Sequence, residues 1–284
     1  MRYTKTLWFD IKNGIGKNCF LWLSSGILAT AVFVDAFSRI DAIERIPELG
    51  IKEVSFGDIL FYAYGGMARY VPSPDKRFEF PIIWLVIFVT VAFLTMNYPT
   101  KNLMGIGSQI LVRTGGHSMW WRSKCIWNVL LTGIYHMLFI VLLAVFSVIC
   151  GIPLNLQIHT ELIRHLFELD LSVWLIDRTW ISVGMILLPI LISVALNLLE
   201  MVLSLFMKPI FSFLVISVTL IASAYLFVPW MIGNYAMLLR YSWIVEDGFK
   251  YHEGFAIAGI MIVCLGVIGH IRFKHYDVLS KGEN

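Results

Sequence analysis

Charged side chains are scarce in this chain. Asp, Glu, Lys and Arg make up 14% of its 284 residues, whereas hydrophobic residues make up 58%. The mean hydropathy is +0.78. A typical soluble domain carries about 25% charged residues. The composition therefore excludes an ordinary soluble protein and indicates a membrane protein.

Several patterns that carry chemistry are also absent. There is no G-x-x-x-x-G-K-[ST] phosphate-binding loop, so we expect no ATP hydrolysis by the chain itself. His159 and His165 are six residues apart rather than the four of a helical zinc-protease motif, and we interpret them as part of a polar outer helix. The cysteines lie at different predicted depths and imply no disulfide framework. We predict no catalytic residues, no metal site and no cofactor bound by this chain.

Acidic residues are missing from residues 98–124. The basic residues of this stretch are Lys101, Arg113, Arg122 and Lys124. Lys and Arg are retained in the cytoplasm more readily than they are translocated, so the stretch is predicted to be a cytoplasmic loop. Leu103, Ile106 and Ile110 recur along it at helical spacing before a Gly-Gly pair. This pattern predicts a short amphipathic helix that serves as a docking surface.

Six apolar segments are long enough to cross a bilayer. They are residues 19–34, 80–96, 125–152, 180–207, 209–230 and 255–271. We therefore predict an all-α integral membrane protein with six transmembrane helices and both termini on one side. An uncleaved first span is favoured over a signal peptide, because the Ala-Thr-Ala triplet at 29–31 lies inside the apolar run. No internal repeat or linker is present, so 1–284 is predicted to form a single transmembrane domain.

The distribution of charge orients these spans. The predicted inner side comprises residues 1–18, the 98–124 loop, Glu200, Lys208 and the tail after Ile271. It holds 12 Lys or Arg against 4 Asp or Glu, and the outer segments hold 10 against 15. Both termini are therefore predicted to be cytoplasmic.

The segments outside the predicted spans have patterns of their own. In residues 1–18, Tyr3, Leu7, Ile11 and Ile15 recur every four residues, which favours an interfacial helix over a disordered basic lead. Residues 35–79 are predicted to be an extracellular segment packed on the outer rim of the bundle. Residues 231–253 are too polar to span and are predicted to be extracellular as well.

Three of the polar residues inside the apolar runs are candidates for a site. His136 is interpreted as a neutral hydrogen-bonded contact between helices, with a proton-relay role as the alternative. Asn197 predicts an interhelical hydrogen bond. Glu200 is compatible with two placements, one facing the bundle interior near an inner gate and one in the headgroup zone. Together they form the candidate intramembrane polar site.

Five features in order along the chain suggest a family. They are the amphipathic start, Gly105-Ile-Gly-Ser-Gln-Ile-Leu-Val-Arg113 running to Trp120-Trp-Arg-Ser-Lys124, the turn Lys208-Pro209, Gly233-Asn-Tyr-Ala-Met237 and Arg272-Phe-Lys-His-Tyr-Asp277. With these features the chain resembles the membrane subunits of ABC-2 type transporters, particularly small six-span permeases of Gram-positive bacteria. The resemblance covers nearly the whole length, and the long segment 35–79 departs from the simplest members.

The resemblance implies a structure for three segments. Residues 1–18 would be an elbow helix, the 98–124 loop would contain a coupling helix that seats in a cleft of an ATPase, and 231–253 would be re-entrant. It also assigns docking residues. Leu103, Ile106, Ile110 and Leu111 would supply apolar area, and Arg113 would meet acidic groups of the ATPase rather than serve topology alone.

The resemblance implies a function and partners. The chain would be a non-catalytic permease subunit in the cell membrane that exports an amphipathic peptide, drug or lipid-like substrate. Its partners would be a dimer of ABC ATPase subunits, which carry ATP and Mg, a second permease subunit that is identical or homologous, and the lipid bilayer; no nucleic acid is implied. A secondary transporter or a membrane-embedded enzyme are the alternatives. A secondary transporter would require matching broken helices in both halves of the chain. A membrane-embedded enzyme would require a convergent cluster of polar residues.

The charge distribution generates a test of topology. In a background without native cysteines, we expect a single cysteine at position 115 to react only from the cytosol and one at position 75 only from outside. The measurement is labelling by a membrane-impermeant thiol reagent in intact and permeabilised cells. Reaction of position 115 in intact cells would overturn the six-span topology.

Overall fold

The computed structural model describes residues 2–46, 53–72, 78–105, 107, 111, 116–169, 180–245 and 247–276. These residues are mostly helical and include no β-strand, only two isolated bridges. The helices are α1 (Arg2–Ile11), α2 (Cys19–Glu44), α3 (Phe56–Tyr64), α4 (Ile82–Met96), α5 (Tyr98–Met104), α6 (His117–Ile149), α7 (Thr160–Leu166), α8 (Val183–Leu203), α9 (Pro209–Tyr225) and α10 (Tyr251–Lys274). A π-helical turn (Lys12–Gly16) follows α1, and two 3₁₀ helices, Ile232–Ala236 and Leu238–Arg240, lie between α9 and α10.

Five of the described helical segments are long and apolar enough to cross a membrane. They are α2, α4 together with α5, α6, α8 and α10. This confirms the prediction of an all-α, multi-pass membrane protein. The remaining predicted span, 209–230, corresponds to α9, a shorter apolar helix of 17 residues.

Two helices extend beyond the predicted apolar runs. α2 continues through residues 35–44, where ion pairs one turn apart join Asp35 to Arg39 at 3.3 Å and Asp41 to Arg45 at 2.6 Å. Such pairs stabilise a helix that hydropathy alone would end. α6 begins at His117, inside the predicted 98–124 loop, so the last residues of that loop belong to a helix.

α8 is the central helix of the bundle. It packs against α4, α6, α9, α10 and the first 3₁₀ helix. Most residues from Met185 to Val202 are buried, as expected for a helix that is apolar on nearly all sides. Polar side chains on α8 therefore face protein.

The segments that do not span gather at the two ends of α6. α1 packs along the start of α6, where Asp10 contacts Lys124, and we call this the Asp10 end. The backbone after the far end of α6 bonds the start of α3, with Phe56 N donating to Pro153 O at 3.1 Å. We call this the Asp58 end. All nine residues of α3 are buried there, so α3 is enclosed by protein rather than lying on a surface.

A buried carboxylate joins α3 to α7 at the Asp58 end. Asp58 Oδ2 accepts from the backbone N–H of Ser55 at 2.9 Å, and Oδ1 accepts from that of His159 at 2.8 Å. The ring Nδ1 of His159 lies 2.7 Å from Oδ2. Burial raises the pKa of Asp58, and the hydrogen bonds from His159 and Ser55 oppose that rise. His159 thus serves as the residue before α7 and as a partner of Asp58.

Arg240 ties three segments together at the same end. Its guanidinium is fully buried and caps the carbonyl end of α9, donating to Ser223 O and Ala224 O, each at 2.5 Å. It also donates to Met67 O at 3.0 Å and to the Asn234 side chain. Burial lowers its pKa to about 10, so the side chain stays charged at neutral pH. A cation at a helix C-terminus is favourable, because the free carbonyls there carry partial negative charge.

The crowding around Arg240 requires one glycine. Gly66 has a φ of +71°, a conformation that side chains with a Cβ rarely adopt. A Cβ at this position would lie 2.5 Å from Cγ of Met237. The 53–72 segment can therefore approach the 3₁₀ helices only through a residue without a side chain.

We expect Arg240→Met to lower the free energy of unfolding by about 3 kcal/mol or more, since several buried carbonyls lose their donor at once. The free energy of unfolding of Arg240→Lys should lie between those of the wild-type protein and Arg240→Met, because an ammonium keeps the charge but has three donors and no planar fork. Thermal unfolding of the detergent-purified variants measures both. Arg69→Met, which removes an exposed arginine from the same end, is the control. A melting temperature for Arg240→Met equal to that of the control would contradict the capping role.

Candidate intramembrane polar site

A polar stripe runs along one face of α6. Lys124, Asn128, Thr132 and His136 follow one another at intervals of four residues, which places them on the same side of the helix. All four are fully buried. At a rise of about 1.5 Å per residue, the stripe covers about 18 Å of the helix axis. Polar groups thus occupy a large part of the bundle interior.

α8 presents a second polar face to this stripe. Asn197 Nδ2 donates to Thr132 Oγ1 at 2.9 Å, and Asn128 Nδ2 donates to the backbone oxygen of Asn197 at 3.3 Å. Ser193 lies one turn before Asn197 and Glu200 lies about one turn after it. The predicted interhelical hydrogen bond of Asn197 is therefore present, and it connects α8 to α6.

Glu200 connects α8 to α4. Its Oε2 lies 3.1 Å from Thr95 Oγ1, and the residue is 2% exposed. α8 continues beyond it to Leu203, so the helix does not end before the carboxyl group. Glu200 therefore faces protein in this structure.

His136 lies at the Asp58 end of the stripe. Its Nδ1 is 2.9 Å from the hydroxyl of Tyr64, the last residue of α3. Burial raises the pKa of Tyr64 well above its usual value, so this phenol is neutral. The rings of Tyr64 and Phe88 lie beside the imidazole, with centroid distances of 5.9 and 5.6 Å. His136 is thus a hydrogen-bonded contact of the kind expected, and its partner comes from the 53–72 segment.

Several buried polar atoms of this region have no hydrogen-bond partner within the described part of the chain. These atoms are Asn128 Oδ1, His136 Nε2, Ser193 Oγ and Glu200 Oε1. Unpaired buried polar atoms are uncommon because each costs free energy comparable to a lost hydrogen bond. Their concentration between α6 and α8 distinguishes this region from the rest of the bundle.

The other end of the stripe is closed by a buried ion pair. Asp10 Oδ1 and Lys124 Nζ are 2.5 Å apart, and both side chains are 1% exposed. Asp10 also accepts from Ser123 Oγ at 2.6 Å and from the Tyr98 hydroxyl at 3.1 Å. The ammonium of Lys124 lies over the rings of Tyr98 and Trp120, at 4.6 and 5.1 Å from their centroids. This ion pair fastens α1 to α6.

The residues predicted to dock an ATPase are placed as follows. Leu103 and Leu111 are buried, at 6% and 7% exposure, in a cluster that also contains Trp120, Trp121 and Phe273. Their apolar area is therefore used within the chain in this structure. Ile106, Ile110 and Arg113 lie outside the described residues, and the docking role of the set stays a prediction.

The spacing of the polar residues in α6 is one feature of the sequence that indicates this site. Lys124, one of the basic residues that predict a cytoplasmic loop, also begins the four-residue spacing that leads to His136. Thr95 and Tyr64 carry no such sign, because a single hydroxyl in an apolar run does not reveal which helix it will face. Asp10 was hidden in the same way, since its partner lies 114 positions away.

The chemistry available here is that of protons and hydrogen bonds. A carboxyl, an imidazole, two amides and several hydroxyls can each accept or exchange hydrogens. In the described ranges, no group of three or more His, Cys, Asp or Glu could hold a metal ion. The arrangement therefore fits a polar path or a proton-binding site better than a metal centre.

The contact between Asn197 and Thr132 allows a direct test of the site's geometry. We expect Asn197→Leu and Thr132→Val each to destabilise the bundle, and the double variant to be less destabilised than their sum by about 1 kcal/mol. Denaturation in mixed micelles measures the coupling. Thr30→Val is the matched control, because Thr30 is exposed and its hydroxyl donates to Gly26 O of its own helix. Full additivity of the two changes would mean that the hydrogen bond contributes nothing.

Comparison with protein-family models, with curated proteins and with solved structures finds no match to this chain. Its function must therefore be argued from its own residues and their geometry.

Proposed function

We propose that this chain is the membrane-spanning permease subunit of an ABC-2 type transporter. Two such subunits, identical or homologous, would form the pathway, and separate ATPase subunits that bind ATP and Mg would drive it. The cargo would be an amphipathic peptide, a drug or a lipid-like molecule leaving the cell. The observation that carries the proposal is the joining of α1 and the 98–124 segment at the Asp10 end.

The ion pair between Asp10 and Lys124 makes this joining rigid. Breaking a buried ion pair by moving one partner away costs about 3–5 kcal/mol, because a charge is left without compensation. The approach of the helices is also close. A Cβ on Gly14 would lie 2.2 Å from Nε1 of Trp127, so only glycine fits. A displacement of the chain before α6 would therefore move α1 with it.

The last helix is joined to the same region. Phe273 of α10 stacks on Trp120 with centroids 4.5 Å apart, and Trp121 Nε1 donates to Gly266 O at 2.9 Å. A Cβ on Gly269 would lie 1.9 Å from the Trp121 ring, so α10 comes very close to α6. A push at the Asp10 end would thus reach α1, α6 and α10 together, as a subunit moved by an ATPase requires.

α1 also has the surface of an interfacial helix. Thr6 and Asp10 are buried against the bundle, whereas Trp8 is 65% exposed. Tryptophan is enriched at membrane interfaces because its ring is apolar and its N–H can remain hydrated. In this proposal α1 lies along the inner leaflet, and ATP binding favours one of two arrangements of the helices it contacts.

A proton-driven secondary transporter is the second candidate, and Glu200 favours it. A buried carboxyl without a cationic partner in the described residues is typical of proton-coupled carriers. The two candidates differ in their partners. A permease subunit should copurify with an ATP-hydrolysing subunit, whereas a secondary transporter requires none.

The proposal predicts the effect of charges in the 98–124 segment. Ile106→Asp together with Ile110→Asp should preserve expression and membrane insertion but abolish copurification with the ATPase and transport, because an unpaired charge in an interface core costs several kcal/mol. Copurified ATPase activity and transport of the cargo are the measurements. Arg113→Glu should weaken association more mildly and in a salt-sensitive way.

The matched control replaces two apolar residues at the Asp58 end with Asp. Ile46 and Val71 are exposed apolar residues there, so Ile46→Asp together with Val71→Asp should leave the ATPase bound. Wild-type transport by the Ile106→Asp, Ile110→Asp protein with its ATPase bound would refute the coupling assignment. ATP hydrolysis by the purified chain alone, free of contaminants, would refute the assignment of hydrolysis to a separate subunit.

A further inference from the structure

We infer that Glu200 is a proton-binding group, which holds an exchangeable proton while α4 and α8 are packed together and is reached from the Asp10 end. The inference does not depend on which energy source drives the protein. It rests on three observations: the few hydrogens available around the carboxyl, the pairing of the surrounding charges with other groups, and a crevice that begins one helical turn from the carboxyl.

If Glu200 were ionised, Thr95 would have one hydrogen for three acceptor oxygens. Thr95 Oγ1 lies 2.9 Å from Ala92 O, 3.2 Å from Val91 O and 3.1 Å from Glu200 Oε2. A hydroxyl has one hydrogen, and a threonine within a helix commonly gives it to a carbonyl of the preceding turn. The contact between Thr95 and Glu200 then needs a hydrogen from the carboxyl itself. A protonated Glu200 supplies it.

The other assignment of the hydrogen leads to the same conclusion. If Thr95 donated to Glu200, an ionised carboxylate would have one hydrogen bond on Oε2, whereas Oε1 has no partner among the described residues. A buried charge with a single neutral donor is strongly unfavourable, and such groups become neutral instead. Neutral Glu200 is therefore favoured by both arrangements.

No charge from the packed helices compensates Glu200 in the described structure. Lys124 on α6 is paired with Asp10 of α1, and the Tyr98 hydroxyl beyond α4 also bonds Asp10. Arg272 on α10 lies over the ring of Phe206, 5.0 Å from its centroid. Three other titratable groups of these elements lie within the bundle or between α9 and α10: His136 bonds to Tyr64, the Tyr135 hydroxyl donates to Ile87 O, and Tyr235 lies in the first 3₁₀ helix. The remaining groups are the thiols Cys125 and Cys264 and the groups near helix ends, which are Lys101, His117, Arg122, Lys208, Tyr225, Tyr251, His252, Glu253, His270 and Lys274.

The routes to the carboxyl of Glu200 differ between the two ends of the bundle. A narrow crevice at the Asp10 end is lined by Pro99 and Ser204, among others. Pro99 lies one turn after Thr95 on the path from α4 into α5, and Ser204 lies one turn after Glu200, so the crevice begins one turn from the carboxyl on both sides. Towards the Asp58 end, the next polar groups are Asn197 and Thr132, which bond each other. Protons would therefore arrive from the Asp10 end.

Binding of the proton would be coupled to helix packing. An ionised Glu200 needs water or a cation, which the contact between α4 and α8 excludes, so loss of the proton favours separation of these helices. The ligand is a proton rather than a metal ion, because one carboxyl and one hydroxyl make too few ligands, and the described residues contain no group of three or more His, Cys, Asp or Glu.

The test uses the purified full-length chain in lipid nanodiscs. The infrared difference between the wild-type protein and Glu200→Gln at neutral pH should contain the C=O stretch of a carboxylic acid, which shifts in D₂O. It should be replaced by the carboxylate bands only at alkaline pH. Glutamine has the shape of the protonated acid, so we expect the variant to fold.

A chemical probe provides an independent readout. Dicyclohexylcarbodiimide reacts with a carboxylic acid in an apolar site: the acid adds across a C=N bond, its proton passes to nitrogen, and rearrangement leaves a stable N-acylurea. Peptide mass spectrometry should find this adduct at Glu200 and at least ten-fold less at the ion-paired Asp10. Thr95→Val should keep the adduct, because the proton belongs to the carboxyl.

Two results would overturn the inference. One is a difference spectrum with carboxylate bands and no carboxylic-acid band at neutral pH. The other is loss of the acid band in Thr95→Val, which would show that the hydroxyl, and not burial, controls the proton. The spectrum takes precedence over the probe, because the spectrum needs no reagent to enter the protein.

Discussion

A polar side chain inside an apolar helix bundle has no water to bond, so its partners must come from the protein. This constraint organises the whole structure. Arg240 meets it by donating to carbonyls of three segments, and Asp58 meets it by accepting from the backbone of α3 and α7. Asp10 and Lys124 meet it with each other. Each saturated group fastens a non-spanning segment to the bundle, at one end or the other.

The groups that are not saturated lie between these fastened ends. Glu200, Asn128 and His136 each keep one atom without a partner in the described chain. Fully bonded polar groups stabilise one arrangement, whereas groups with spare capacity can bond a ligand or exchange a proton. Binding of a ligand or exchange of a proton would therefore cost the least free energy in the interior between α4, α6 and α8. The two ends, where the other segments are fastened, are where a resulting movement of the helices would be transmitted.

The sequence predicts the helices well because a bilayer-spanning run of apolar residues is a local property. Helix ends are less predictable, as α2 shows, since ion pairs near Asp35 prolong it past the apolar run. Of the site, Asn197, Glu200 and His136 could be chosen from the sequence as polar residues at membrane depth. Their partners could not, because the register of one helix against another is set by packing. The apolar stripe through Leu103 predicted a helix face but not whether that face meets a partner or the chain's own core.

The cap on α9 has a consequence for the lipids around it. Because Arg240 occupies the last carbonyls of α9, this helix ends after 17 residues and is about 26 Å long. The hydrocarbon layer of a typical bilayer is about 30 Å thick. As the sixth predicted span, α9 would require the lipids along its exposed face to compress or tilt, at a fraction of a kcal/mol per Å of mismatch. In that arrangement, the thickness of the bilayer beside α9 would depend on one buried arginine.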